Sequence, residues 1–409
     1  MAITEKRETK FKDTEIGLIP EEWEVKELGQ ISFLQRGFDL PIQDRIEGKY
    51  PILSSSGTNG YHSEFKVQGP GVVTGRSGQL GNVFYTKENY WPLNTTLWVK
   101  DFFGNDPYYT YLLLSQIKFA DYNAGSSVPT LNRNHIHSLL IALPPLPEQK
   151  AIAEILSSLD EKIELNRRMN KTLEEMGKAL FKRWFVDFEF PNEDGKPYKS
   201  SGGKMVDSEL GEIPEGWEIV TVESIAEIRN GFAFKSSDYR DSGFPIIRTM
   251  NFTDEGFIDA NNLVYLKEDL VDKYSNFRLS LFDFLLVMVG ASIGKSAIVT
   301  DVNIPALQNQ NMWNFQPKSK EQLFYNIFTL KEIITKNINS ASGSARDFFR
   351  KDFYRQISVL KPSKKYLEAF NTVMSDIYLK ISLNICQVDN LNKLRETLLP
   401  KLISGRIRT

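Results

Sequence analysis

The chain is poor in the residues that build covalent or metal-held frameworks. Its 409 residues include one cysteine, Cys386, and three histidines, His62, His135 and His137. A disulfide scaffold and a Cys/His zinc cluster are excluded, no metal site is expected, and a reducing, cytoplasmic setting follows. Long apolar runs are also missing and the opening MAITEKRETKFKDT is polar and charged, so neither a membrane span nor a signal peptide is expected. The net charge is only -2, so a nucleic-acid partner would have to meet clustered cations. What is present, 41% hydrophobic and 25% charged residues, is the balance of a globular chain long enough for two or three cores.

The most organised stretch is residues 147–185. Ile152, Ile155, Leu156, Leu159, Ile163, Met169, Leu173, Met176 and Leu180 recur there in steps of three and four, which predicts one long amphipathic helix. Pro144, Pro145 and Pro147 mark its start, and Glu148, Lys182 and Arg183 suit its two ends. At 1.5 Å per residue it would span roughly 58 Å, the length of a spacer.

An internal repeat sets the rest. Residues 13–24, DTEIGLIPEEWE, return as residues 207–218, DSELGEIPEGWE, and Gly37-Phe38 returns as Gly231-Phe232. Asn-x-x-Leu-Trp at residues 94–98 returns as Asn-x-x-Met-Trp at 309–313. A second helical stretch follows Pro362 and superimposes Leu159 on Ile377, Ile163 on Ile381, Leu173 on Leu391 and Leu180 on Leu398. The expected class is mixed α/β: two globular α/β domains separated by two long antiparallel helices in a coiled coil, with an internal pseudo-two-fold repeat. The expected bounds are 1–144 for the first globule, 145–186 for the central helix, 187–206 for a linker, 207–362 for the second globule, and 363–409 for the distal helix and tail. Asn166 and Asn384 fall at matching seam positions, which predicts that they meet and fix register. His135 and His137 read as one face of a solvated strand, and Pro400 predicts a kinked or shortened second helix.

No catalytic constellation emerges. Residues 290–296, GASIGKS, follow an apolar run as a phosphate-binding loop would, but three residues separate the glycines where that motif needs four. A turn presenting Ser292 and Lys295 is the better reading. What remains is a set of side chains able to read base edges or phosphates: Arg76, Ser77, Asn94, Thr95, Ser126, Ser127 and Arg133 in the first half, and Ser292, Lys295, Gln308, Asn309, Gln310, Ser344, Arg346, Arg350 and Lys351 in the second. Residues 346–365 carry a local cationic excess of five, which suits phosphate contact. A rival reading is a coiled-coil scaffold whose globules bind proteins or glycans, and a distant third is a nucleotide-using enzyme built on residues 290–296.

Four motifs carry a resemblance: GLIPEEW and GEIPEGW at the start of each half, LPPLPEQKAIAEILSSLDEKIELN in the central helix, FKRWFVDFEFP at its exit, and LRETLLPKLISGRIR at the C-terminus. Together they resemble the specificity subunits of Type I restriction-modification systems. The resemblance implies a non-catalytic, sequence-specific DNA-binding subunit with two target-recognition domains, each reading half of a bipartite, asymmetric site in double-stranded DNA. It implies that the helices dock two modification (methyltransferase) subunits and, through them, the restriction subunits. S-adenosylmethionine and ATP would belong to those partners. KPSKKYLEAF stands where PPLPEQKAIAE stands in the first half, so docking at the second copy is expected to differ in detail. A spacer of that length implies half-sites roughly one helical turn apart.

Overall fold

A computed structural model describes residues 10–123, 129–338 and 349–409. The chain divides into two units, residues 1–163 with 390–409, and residues 164–389.

In the first unit, strand β1 (Glu24–Glu27) leads through a single helical turn into β2 (Phe33–Arg36). With β3 (Gly71–Gly75), β4 (Val83–Thr86) and β5 (Thr96–Asp101) it forms an antiparallel sheet of order β2-β5-β3-β4. Helix α1 (Pro107–Ser115) follows, with Asp106 capping it by accepting from Tyr109 N at 2.9 Å. Then come the short helix α2 (Arg133–His137) and β6 (Leu140–Leu143), which pairs back onto β1. A three-stranded sheet of Gly57–His62, Tyr50–Ser54 and Trp91–Pro92 completes the globule.

Helix α3 (Leu146–Phe181) is 36 residues long and ends in a π-type turn over Lys182–Val186. Beyond it the second unit repeats the plan. Strand β7 (Glu218–Thr221) leads into β8 (Ala226–Asn230), and with β9 (Phe284–Val287), β10 (Ser296–Ile298) and β11 (Met312–Pro317) the sheet order is β8-β11-β9-β10. Helix α4 (Leu323–Lys336), the short helix α5 (Lys351–Gln356) and β12 (Ser358–Lys361) on β7 follow, then helix α6 (Lys364–Ile403). The mixed α/β class, the repeat and the two long helices are those the sequence implies.

Each unit has its own core and its own share of both long helices. In the first, Ile152 and Leu156 of α3 pack with Leu399 and Leu402 of α6 among Leu28, Tyr109 and Leu112. In the second, Phe181, Phe370, Met374, Tyr378 and Ile381 pack with Phe324 and Phe328 of α4. Within each unit the two helices run antiparallel: Asp160 meets Arg395 in the first, and Asn166 and Asn170 meet Gln387 and Asn384 in the second.

Several expectations need correction. The buried stripe is narrower than the apolar one, because Ile155 and Met176 lie exposed, at 39% and 54%. Asn166 and Asn384 are both fully buried, but Asn166 donates to Gln387 at 3.1 Å and Asn384 to Asn170 at 2.8 Å. The antiparallel register sets them almost one turn apart, so they do not bond each other. Helix α6, at 40 residues, is longer than α3 rather than shorter. Pro400 lies in its last turn, where the missing N–H breaks the ladder only at its very end. His135 and His137 are on helix α2, not on a strand. Residues 187–206 carry Phe188 and Phe190, both buried in the second core, with Phe190 stacked on Trp217 at 5.1 Å.

Candidate nucleic-acid interface

Each globule gathers three pieces of chain at one edge of its four-stranded sheet: the loop leaving the third strand, the segment entering the strand beside it, and the short helix before the closing strand. Two glycines make the gathering possible. A Cβ on Gly37 would collide with Leu93 O, and one on Gly231 with Asn309 O, so only glycine lets the backbones approach. Phe38 N then reaches Pro92 O at 2.8 Å and Phe232 N reaches Gln308 O at 3.1 Å.

In the first unit the loop after β3 is held on both sides. Arg76 N and Ser77 N both donate to Thr95 O, at 2.8 and 3.1 Å, while Arg76 O accepts from Leu131 N at 2.8 Å. Ser77 also bridges to Thr130. The result is a cleft of about 440 Å³ lined by Arg36, Arg76, Leu97, Thr130, Leu131, Asn132 and Arg133. Arg76 is half-buried and donates weakly to Asn94 O at 3.4 Å. The Arg133 guanidinium lies 5.8 Å from the Phe33 ring centre, a cation–π distance. Phe33 in turn lies 4.9 Å from His137, whose Nε2 accepts from Leu34 N at 2.9 Å. That bond places the ring proton on Nδ1, and burial together with Arg133 lowers the His137 pKa. His137 thus braces the wall of the cleft as a neutral ring.

The structure brings Arg76, Ser77, Thr95 and Arg133 together here. The Asn94 side chain is bonded to Asp39, and Thr95 Oγ1 is buried without a hydrogen-bond partner among the described residues. Ser126 and Ser127, like Ser344 and Arg346, lie outside the described residues. Arg36 was missed by sequence reasoning. Its signal was available, since it precedes the repeated Gly-Phe pair, as Asn230 does in the second half.

The second unit has the same frame with different side chains. Met288 N donates to Asn311 O at 3.1 Å and Phe349 N to Met288 O at 2.9 Å. Lys351 Nζ reaches Asn230 Oδ1 at 3.5 Å, and burial followed by Arg355 lowers the Lys351 pKa. Arg350 and Gln310 are exposed. Gln308 and Asn309 face inward: they are 2% and 8% exposed, Gln308 donates to Met312 O at 3.0 Å and Asn309 to the Tyr239 hydroxyl at 3.2 Å. Their amides close the chain crossing instead. Residues 290–296 form a turn between antiparallel β9 and β10 rather than a loop entering a helix, which removes the phosphate-loop reading. Ser292 is half-buried in that turn, and Lys295 Nζ is 2.6 Å from Asp254. The cationic run 346–365 is also partly spent, Arg355 on Asp352 at 3.2 Å and Lys361 on Glu218 at 3.1 Å.

Among the described residues no three or more His, Cys, Asp or Glu side chains are placed to hold a metal ion, and no helix is long and apolar enough to cross a membrane.

Comparison with known proteins agrees with this doubled frame. The family model for the Type I restriction modification DNA specificity domain matches twice, at residues 20–175 and 214–364. The MjaVIII specificity subunit of a Type I restriction enzyme from Methanocaldococcus jannaschii is 26% identical, over 98% of this chain and 97% of that protein. The MjaIX specificity subunit from the same organism is 24% identical over 98% and 97%. In fold, the chain is similar to the crystal structure of a Type I S subunit from M. genitalium, with a TM-score of 0.64 and 17% identity over 93% of this chain and 96% of that one. With two matches spanning most of its length, one laid over the first globule and most of the helix that follows it and the other over the second globule, the chain belongs to the Type I restriction-modification specificity subunit family.

Proposed function

We propose that this chain is the non-catalytic, DNA-reading subunit of a Type I restriction-modification complex, and that each unit reads one half of a bipartite, asymmetric site. The observation that carries this reading is the repeated frame with unlike side chains: Arg36, Arg76 and Arg133 around the first cleft, Asn230 and Lys351 at the matching edge of the second. Guanidinium groups suit phosphates and guanine, while amides suit adenine, so two unlike edges call for two unlike half-sites. The paired helices offer exposed apolar side chains, including Leu165, Leu379 and Leu383, which supports docking of modification subunits there, with restriction subunits joining through them. S-adenosylmethionine and ATP are held by those partners, and the complex works in the cytoplasm, where the chromosome is.

Methylated-base mapping of the host genome with and without the gene tests this. A two-part asymmetric methylated motif should vanish with the gene. An unchanged pattern in a host that makes the protein and its partner subunits would reject the reading in favour of the scaffold.

A further inference from the structure

Building on the proposed DNA-reading role, we infer that the cleft of the first unit takes the major-groove edge of a guanine, and that Arg76 is the residue that reads it. Among the described residues, all three cations lining the cleft are arginines, and neither a lysine nor a carboxylate lines it. A guanidinium presents a planar fork of donors, which matches the adjacent N7 and O6 acceptors of guanine, whereas a phosphate is served equally well by a lysine.

The three arginines are not equivalent. Arg36 is 54% exposed and lies 3.7 Å from Asp39 on the surface, the setting of a cation that meets the backbone of the duplex. Arg133 lies against the Phe33 ring. Arg76 is half-buried, its main chain is hydrogen-bonded through both its N–H and its C=O, and among the described residues its guanidinium makes only the long bond to Asn94 O. A side chain on so fixed a backbone can impose geometry on what it binds. Leu97 and Leu131 provide apolar wall on the same cleft, which suits the flat face of a base better than a hydrated phosphate.

The second unit lacks this device. The pair of main-chain bonds that holds Arg76 recurs at Met288, whose N–H donates to Asn311 O and whose carbonyl accepts from Phe349 N. Counting along the sheet register instead, in which Trp98 pairs with Val73 and Trp313 with Leu286, leads from Arg76 to Val289. Neither methionine nor valine can donate to a base, so only one half-site depends on this contact.

The test is methylated-base mapping in a host carrying the full chain as wild type, Arg76→Ala or Arg76→Lys. The wild-type motif should hold a fixed G·C pair in one half that accepts other pairs in Arg76→Ala, with discrimination falling about tenfold or more. The other half should stay fixed, which also establishes that the variant is folded. Arg76→Lys, keeping the charge but not the fork, should loosen the same position. Duplexes with 7-deazaguanine at that position should be methylated about tenfold more slowly by the wild-type complex, with no such penalty for Arg76→Ala. The inference is overturned if Arg76→Ala weakens methylation evenly at all sites with every position still fixed, the signature of a phosphate anchor, or if Arg76→Lys behaves as wild type. Absence of any motif dependent on the wild-type chain is a different result, and rejects the DNA-reading role itself.

Discussion

Replacing Glu148 with alanine removes one carboxylate that serves two partners in the first unit. Its Oε2 accepts from the indole N–H of Trp23 at 2.9 Å and from Arg408 Nη2 at 2.9 Å, while Arg408 also reaches Glu22 at 2.9 Å. Trp23 is fully buried, and the Glu148 side chain is 10% exposed. An indole N–H left buried without an acceptor costs about 1–3 kcal/mol, and the charge-assisted bond to Arg408 adds about 1 kcal/mol. Glu148→Ala is therefore expected to cost about 3 kcal/mol, which in a unit of this size lowers the melting temperature by about 6–12 °C. Glu148→Gln keeps an acceptor for the indole and should lose only the charge, about 1 kcal/mol or about 2–4 °C. Calorimetry of the full chain, with tryptophan fluorescence to follow the local environment, measures both. Trp23→Phe supplies the cycle, since Glu148→Ala should cost less where no indole N–H is left stranded. Equal melting temperatures for the alanine and glutamine variants would refute the argument, because they differ in whether Trp23 keeps its acceptor.

Two further predictions follow from buried charge. Arg395 Nε lies 2.6 Å from Asp160, the side chains being 20% and 29% exposed, and Asp160 also accepts from the Tyr108 hydroxyl at 2.5 Å. Arg395→Met should cost about 2 kcal/mol, less than the loss of a fully enclosed pair, and a urea midpoint equal to wild type would rule this out. Burial raises the Glu174 pKa above its usual value, opposed by Lys331 and Lys178 and aided by Glu255 and Glu175. A carboxyl whose folded pKa is raised weakens the fold as pH climbs from the unfolded value, near 4.5, through the folded one. Glu174→Gln should therefore gain stability over wild type at pH 7 and lose that advantage at pH 4, and a larger advantage at pH 4 would contradict the assignment.

The large features were legible because they rest on local chemistry repeated along the chain. Three- and four-residue spacing gave α3, the prolines gave its start, and the two Ile-Pro-x-x-Trp segments marked equivalent places, with Trp23 and Trp217 both buried and Trp217 part of the second core. What stayed hidden depends on pairing between distant segments. Antiparallel register decided that Asn166 meets Gln387 and not Asn384, and no single-strand pattern contains that number. Gln308 and Asn309 have the composition of base readers, yet the close crossing at Gly231 turns both inward. Arg36 escaped notice for the converse reason. An arginine on a strand is unremarkable until the fold sets it beside Arg76 and Arg133.

The pairing of β6 on β1 and of β12 on β7 has a consequence for how such a chain can change. Leu140 to Leu143 stand opposite Glu27 to Glu24, and Ser358 to Lys361 opposite Thr221 to Glu218. The bonds Leu28 N to Leu139 O and Val222 N to Ile357 O extend each pairing inward by one step. Everything from residue 28 to 139, and from 222 to 357, thus enters and leaves through a single two-stranded clasp, with the chain leaving it at the start of a long helix. A segment tethered at one such gate can be exchanged as a block for another of different length and sequence, provided the incoming piece restores the apolar surface that meets the helices. New target preferences can then arise by recombination at the clasps, without redesign of the helices that the rest of an assembly would grip.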